Sequence, residues 1–229
     1  MLSRLLQPTS APVAPGFQPT SIRRLFPSPL VFAEMPDDDA QRTLAAKLAR
    51  RILAHERTEP GVVHNNEGGW QSDIDFLSWA GEEGEALAAA ATRLVDGLTA
   101  RFDGELLRRV PIDWKVVAWA NVSRRGAANE AHHHAGCFWS AVYYVDDGGC
   151  DDATGGAIEF IDPRGALAMA SAPDLKMTVE DCLTAGLVER VYPRTGMLLL
   201  FPGWLLHRVR RYAGDGTRIS VAINFTRQM

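Results

Sequence analysis

The chain has 229 residues, 46% of them hydrophobic and 23% charged, with a formal charge of −4. That describes a globular protein with a sizeable core. It offers no basic surface of the kind that meets nucleic acid, and no apolar run nears the ~18 residues of a membrane-spanning helix. Cys137, Cys150 and Cys182 are odd in number and show no CxxC spacing, which reads as reduced thiols in a cytoplasmic protein.

The first 36 residues hold seven of the 13 prolines, three arginines and a single acid, Glu34. Residues 1–24 read as a mobile arm ahead of one domain over 25–229. "SPLVFAEM" (28–35) predicts a short strand. The acids Asp37 to Asp39 then offer a cap to a helix in which Leu44, Leu48 and Ile52 recur at four-residue spacing, ending by Pro60. A loop containing "NNEGGWQSDIDF" follows. The pattern of Leu87, Leu94, Leu98 and Phe102 predicts a second helix over Glu82–Phe102, which places a helical flank at 37–103.

After Pro111 the character changes. "DWKVVAWANVS", "CFWSAVYYV", "GAIEFI", "VERVYP", "GMLLLFP", "HRVRRYA" and "TRISVAINF" are short runs rich in β-branched and aromatic residues, bounded by Gly, Pro or Asp. Such runs mark the strands of a sandwich or barrel. The fold class is therefore α+β, mainly β, with N-terminal helices flanking a jelly-roll core over 112–227. Residues 165–187 interrupt the strands as an insertion placed to cover one mouth of the barrel.

"NEAHHHAG" holds three of the six histidines. In an extended segment His132 and His134 share a face and His133 takes the other. Two imidazoles so spaced can occupy adjacent corners around one cation, with His207 in "FPGWLLHRVRR" as a third ligand; a solvated histidine-rich loop accounts for the run equally well. Arg218 follows eleven residues after His207, with Ser220, Ala222 and Asn224 alternating behind it. It is suited to gripping a dicarboxylate, or to a place at the surface.

The stretches from "NVSRRGAANEAHHHAG" through "VYYVDD", "GGAIEFIDPR" and "VYPRTGMLLLFPGWLLHRV" to "TRISVAINF" resemble the Fe(II)/2-oxoglutarate oxygenase superfamily. The closest likeness is to a bacterial group with an H-x-H-P-G signature, and it extends over about residues 25–227 through "LFPSPLVF" and "NNEGGWQSD". The resemblance implies a double-stranded β-helix, a cupin-like barrel. It implies Fe(II) as metal, 2-oxoglutarate as cosubstrate, O₂ and an organic substrate, with ascorbate in support, and a hydroxylase type of C–H oxidation. It carries His132, His134 and His207 over as metal ligands, Arg218 as the anchor of 2-oxoglutarate, and Ser220 and Tyr144 as its companions. Asn121 is a further candidate to touch cosubstrate or substrate. Two departures stand out. His134 occupies the place of the usual carboxylate, and Ala135 that of the signature's proline.

Three-histidine sites also resemble those of oxygenases that use no 2-oxoglutarate and bind their organic substrate at iron, and a non-enzymatic metal- or ligand-binding barrel is a third reading. A zinc hydrolase lacks a placed general base, since Glu130, on a loop before the histidines, is the nearest carboxylate. Gly155–Gly156 reads as a turn, Arg208, Arg210 and Arg211 as a solvated face, Trp70 as a loop anchor, and Cys137 as a small buried hydrophobe.

Overall fold

The computed structural model describes residues 21–228 except 37, 103–106, 109, 111 and 167–170. Most of the arm expected over 1–24, and part of the insertion at 165–187, therefore lie outside the described residues. Strand β1 (Val31–Glu34) precedes helix α1 (Asp39–Glu56), short strands β2 (Asn66–Glu67) and β3 (Trp70–Gln71), and helices α2 (Phe76–Trp79) and α3 (Gly81–Leu98). A small hairpin, β4 (Arg101–Phe102) and β5 (Leu107–Arg108), leads into β6 (Trp114–Ser123), β7 (Ala128–His132), β8 (Trp139–Asp146) and β9 (Ile158–Ile161). Strands β10 (Val188–Val191), β11 (Met197–Pro202), β12 (His207–Val209) and β13 (Arg218–Arg227) complete the chain.

Two sheets face each other. One runs β1-β11-β8-β13-β6-β3 and the other β10-β9-β12-β7-β2, with antiparallel pairing throughout. Because side chains alternate along a strand, the larger sheet serves two masters. Ile219, Val221, Ile223 and Phe225 of β13, with Ala118, Ala120 and Val122 of β6, pack against Leu48 and Ile52 of α1 and Leu87, Ala91 and Val95 of α3. The alternate residues, Arg218, Ser220, Ala222 and Asn224 of β13 with Val117, Trp119 and Asn121 of β6, line a cavity between the sheets. Phe160, Leu199, Phe201 and Leu205 fill the barrel beside it.

Helix α1 begins where expected: Asp38 is its N-cap, and its carboxylate accepts from the Gln41 amide at 2.9 Å, satisfying one free amide of the first turn. Helix α3 is shorter than the Glu82–Phe102 predicted. Thr99 turns extended, its hydroxyl donates to the Val95 carbonyl at 2.6 Å, and it accepts from Trp139 Nε1 of β8 at 2.9 Å. That capture ends the helix, and Phe102 is left exposed on the β4–β5 hairpin. Glu130, expected on a loop, lies in β7.

The insertion differs from expectation in its place. None of its described residues lines the cavity. Its ends are drawn together at Asp162, which accepts from the Gly186 amide and pairs with Arg164, while Arg24 pairs with Asp181 further out. The segment between α1 and α2 closes the mouth instead, through His64, Asn65, Gln71 and Ile74. Trp70 anchors that segment, donating from Nε1 to the Glu59 carbonyl at 3.0 Å and meeting the His55 ring edge-on.

Candidate active site

The cavity has a volume of about 540 Å³. His207 at the start of β12 stands directly opposite His132 at the end of β7 and beside Phe160 of β9, so sheet register joins two histidines far apart in sequence. His134 lies just past the strand. Its carbonyl accepts from the Cys137 amide at 3.1 Å in a turn whose third residue, Gly136, has φ of 82°, a conformation that glycine adopts without steric cost. Its amide donates to the Gly203 carbonyl at 2.8 Å, which ties the turn to the β11–β12 connection.

The three rings converge. Their centroids are 4.3 Å apart for His132–His207, 5.1 Å for His132–His134 and 5.2 Å for His134–His207, and one nitrogen from each lies within 4.8 Å of the others. His132 Nδ1 donates to the Glu130 carbonyl and His207 Nδ1 to the Leu205 carbonyl, both at 2.8 Å. A carbonyl only accepts, so Nδ1 carries the proton on both rings and the Nε2 lone pair is free for a cation. Burial, reinforced by the neighbouring imidazoles, lowers the pKa of His134 to about 3 and, chiefly through burial again, that of His207 to about 4; burial lowers His132 as well. All three are neutral at pH 7, the form that ligates. His133 is exposed at the rim.

A second cluster faces the same cavity. Arg218 is 2% exposed, yet its Nε has no hydrogen-bond partner, and neither does the buried hydroxyl of Tyr144. The guanidinium carbon sits 5.1 Å from the centroid of the Tyr144 ring. Burial raises the Tyr144 pKa despite the guanidinium's opposing pull, so the hydroxyl stays protonated and able to donate. Ser220 stands between Asn121 and Tyr144 in the register of β6, β13 and β8. Tyr143 points the other way, into the helix layer. An unpaired buried guanidinium beside an unpaired phenol is a receptor for an anionic oxygen.

The structure thus brings His132, His134, His207, Arg218, Tyr144, Ser220 and Asn121 to one cavity. It adds residues that sequence reasoning missed: Gln71, Trp119, Asn129 and the loop residue His64. Trp119 was legible as an inward position two residues before Asn121, whereas Gln71 sits on a two-residue strand too short to show a period. The arginines expected as a solvated face do reach solvent and are ion-paired as well. Arg208 and Arg190 both reach Glu159, each at 2.7 Å, with Arg210 at 4.0 Å, and Arg211 pairs with Glu67 at 2.9 Å.

Residues 117–224 match the model of a family described as "Putative 2OG-Fe(II) oxygenase". Over these residues the chain is similar to 2OG-Fe(II) oxygenases. The cofactors of such oxygenases are Fe(II) and 2-oxoglutarate, and the neutral histidine cluster and the unpaired Arg218–Tyr144 pair fit a cation and a dicarboxylate respectively. No curated protein sequence matches the chain significantly. Solved structures share its fold. A prolyl-4-hydroxylase from Pseudomonas putida has a TM-score of 0.56 at 18% identity, covering 88% of this chain and 94% of that one. A prolyl hydroxylase from Trichoplax adhaerens, in complex with a hypoxia-inducible-factor peptide fragment, has a TM-score of 0.59 at 12% identity, covering 86% and 83%. HygX from Streptomyces hygroscopicus, with nickel and 2-oxoglutarate bound, has a TM-score of 0.57 at 12% identity, covering 88% and 84%. The oxygenase fold is therefore the double-stranded β-helix with a helical layer on its larger sheet.

Proposed function

We propose that the protein is an Fe(II)- and 2-oxoglutarate-dependent hydroxylase in which His132, His134 and His207 hold the iron through ring nitrogens. Bound together there, iron, 2-oxoglutarate and O₂ supply the oxidant for substrate C–H oxidation, with ascorbate keeping the metal reduced. The chain's own groups orient and shield. Arg218 takes the far carboxylate of 2-oxoglutarate, Tyr144 donates a hydrogen bond to it, and Ser220 and Asn121 border the same seat. The Glu130 and Leu205 carbonyls fix the tautomers of two ligands. Trp119 and Phe201, whose rings lie 5.5 Å from His134 and 4.8 Å from His207, keep water from the reacting side.

The observation that carries this reading is Arg218: a buried guanidinium without a counter-ion among the described residues, in the same cavity as three neutral imidazoles. HygX, which holds nickel and 2-oxoglutarate in a like fold, supports it. Three imidazoles bring no negative charge to the metal, so the dianionic cosubstrate offsets more of its charge here than beside a carboxylate ligand. The three free thiols favour a reducing compartment such as the cytoplasm. Full-length protein with Fe(II) and ascorbate should convert 2-oxoglutarate to succinate and, without O₂, bind it with a metal-to-ligand charge-transfer band. Absence of both band and turnover would remove the proposal.

A further inference from the structure

Two buried polar side chains of the cavity, Gln71 and Asn224, hold neither metal nor cosubstrate, and Asn224 accepts from the Ser140 hydroxyl. Gln71 is 5% exposed and lines the cavity, yet neither end of its carboxamide has a hydrogen-bond partner among the described residues. Its backbone, by contrast, is fully engaged: the Gln71 carbonyl accepts from the Val62 amide at 2.8 Å, and the residue pairs with Asn121 across β3 and β6. A Cβ on Gly61 would meet that same carbonyl at 2.5 Å, so the loop is pressed against β3, while Trp70 is tied to Glu59. The carboxamide is thus held on a fixed backbone and left open. The carboxamide atoms are not sealed from solvent as the Tyr144 hydroxyl is, so they open onto the cavity, where a ligand's polar groups can take the place of water.

The surroundings specify that ligand's chemistry. Asn121, beside Gln71 in register, also has a side chain without a protein partner. Among the described residues no Asp, Glu or Lys lines the cavity, and Arg218 is its one permanent charge. An ammonium group beside Gln71 would be buried without a side-chain counter-charge, and a carboxylate would find no free cation, since Arg218 holds the cosubstrate. A carboxamide offers donors and an acceptor in one plane, and its best complement is a second amide. Ile74 and Trp119 add apolar walls nearby.

We propose that Gln71 is a substrate-binding residue, and that the cavity takes a neutral substrate presenting an amide group to Gln71 and Asn121. This deepens the oxygenase reading and rests on it for the cosubstrate's seat at Arg218. The test is nuclear magnetic resonance on ¹⁵N-labelled full-length protein loaded with Zn(II), with N-acetylalanine methylamide as the amide probe. The probe should shift the Gln71 side-chain amide signals saturably, and Gln71→Leu, its fold verified from the same spectrum, should bind it about tenfold more weakly. Ethylene glycol, acetate and ethylammonium should leave those signals in place, and Gln71→Glu should admit ethylammonium. Unchanged probe affinity in Gln71→Leu, or equal response to the glycol, would overturn the proposal. So would displacement of the probe from Gln71 by 2-oxoglutarate, which would make the residue part of the cosubstrate's seat. Failure of 2-oxoglutarate to shift the Arg218 side-chain signals would count against the oxygenase reading and not against Gln71.

Discussion

Arg218 puts function and stability in opposition. A charge buried without a partner costs folding free energy, so Arg218→Met should raise the thermal stability of the ligand-free protein, by about 1–3 kcal/mol. The same change should weaken 2-oxoglutarate binding about 100-fold, because it removes a charge-assisted contact that the cavity supplies nowhere else. Calorimetry of binding and unfolding on one preparation checks both signs; Tyr144→Phe should lose only about fivefold in affinity, the value of one hydrogen bond. The histidines set the pH response. In the folded chain His134 and His207 titrate near 3 and 4, against about 6.5 when unfolded. Between those values the unfolded state binds protons that the folded state does not, so the metal-free protein loses stability as pH falls from about 6.5 towards 4. Urea melts across that range should show the decline, and His207→Gln should flatten it.

At the scale of elements, the site depends on two connections and one buried carboxylate. Gly203 accepts from the His134 amide, and a Cβ there would lie 2.4 Å from the Cys137 carbonyl. Gly203→Ala should therefore push apart the turn that presents His134, lowering the melting temperature and the metal affinity together, as melts with and without metal would reveal. Behind His207, on the outer face of the small sheet, Glu159 is 1% exposed and is shared by arginines of β10 and β12. Glu159→Gln should destabilise the fold by about 1–2 kcal/mol, less than a fully buried pair because the arginines stay about half exposed. Chemical denaturation gives the value directly. Strands such as β6 and β13 were legible because ten alternating residues carry a clear period. The end of α3 was not, since a tertiary hydrogen bond from Trp139 decides it, and β3 was not, since two residues carry no period at all.

Across the whole molecule, one sheet divides its faces between a helical layer and a reactive cavity. That division is written in the alternation of "TRISVAINF", which sets Arg218, Ser220 and Asn224 on one face. The meeting of His132 with His207 was not written there. It follows from the register of β7 against β12; the sequence offered His207 only as one candidate third ligand, and resemblance to known oxygenases singled it out. The insertion at 165–187 was misplaced for a similar reason: composition marks it as loop but does not say which end of the barrel it approaches. Everything in the functional account then depends on the three imidazoles acting as one metal site. Iron content after anaerobic loading with Fe(II), for wild type and for His132→Ala and His207→Ala, tests this most directly. The account predicts about one iron per chain in the wild type and loss of most of it in each variant, whereas full iron occupancy in both variants would contradict it.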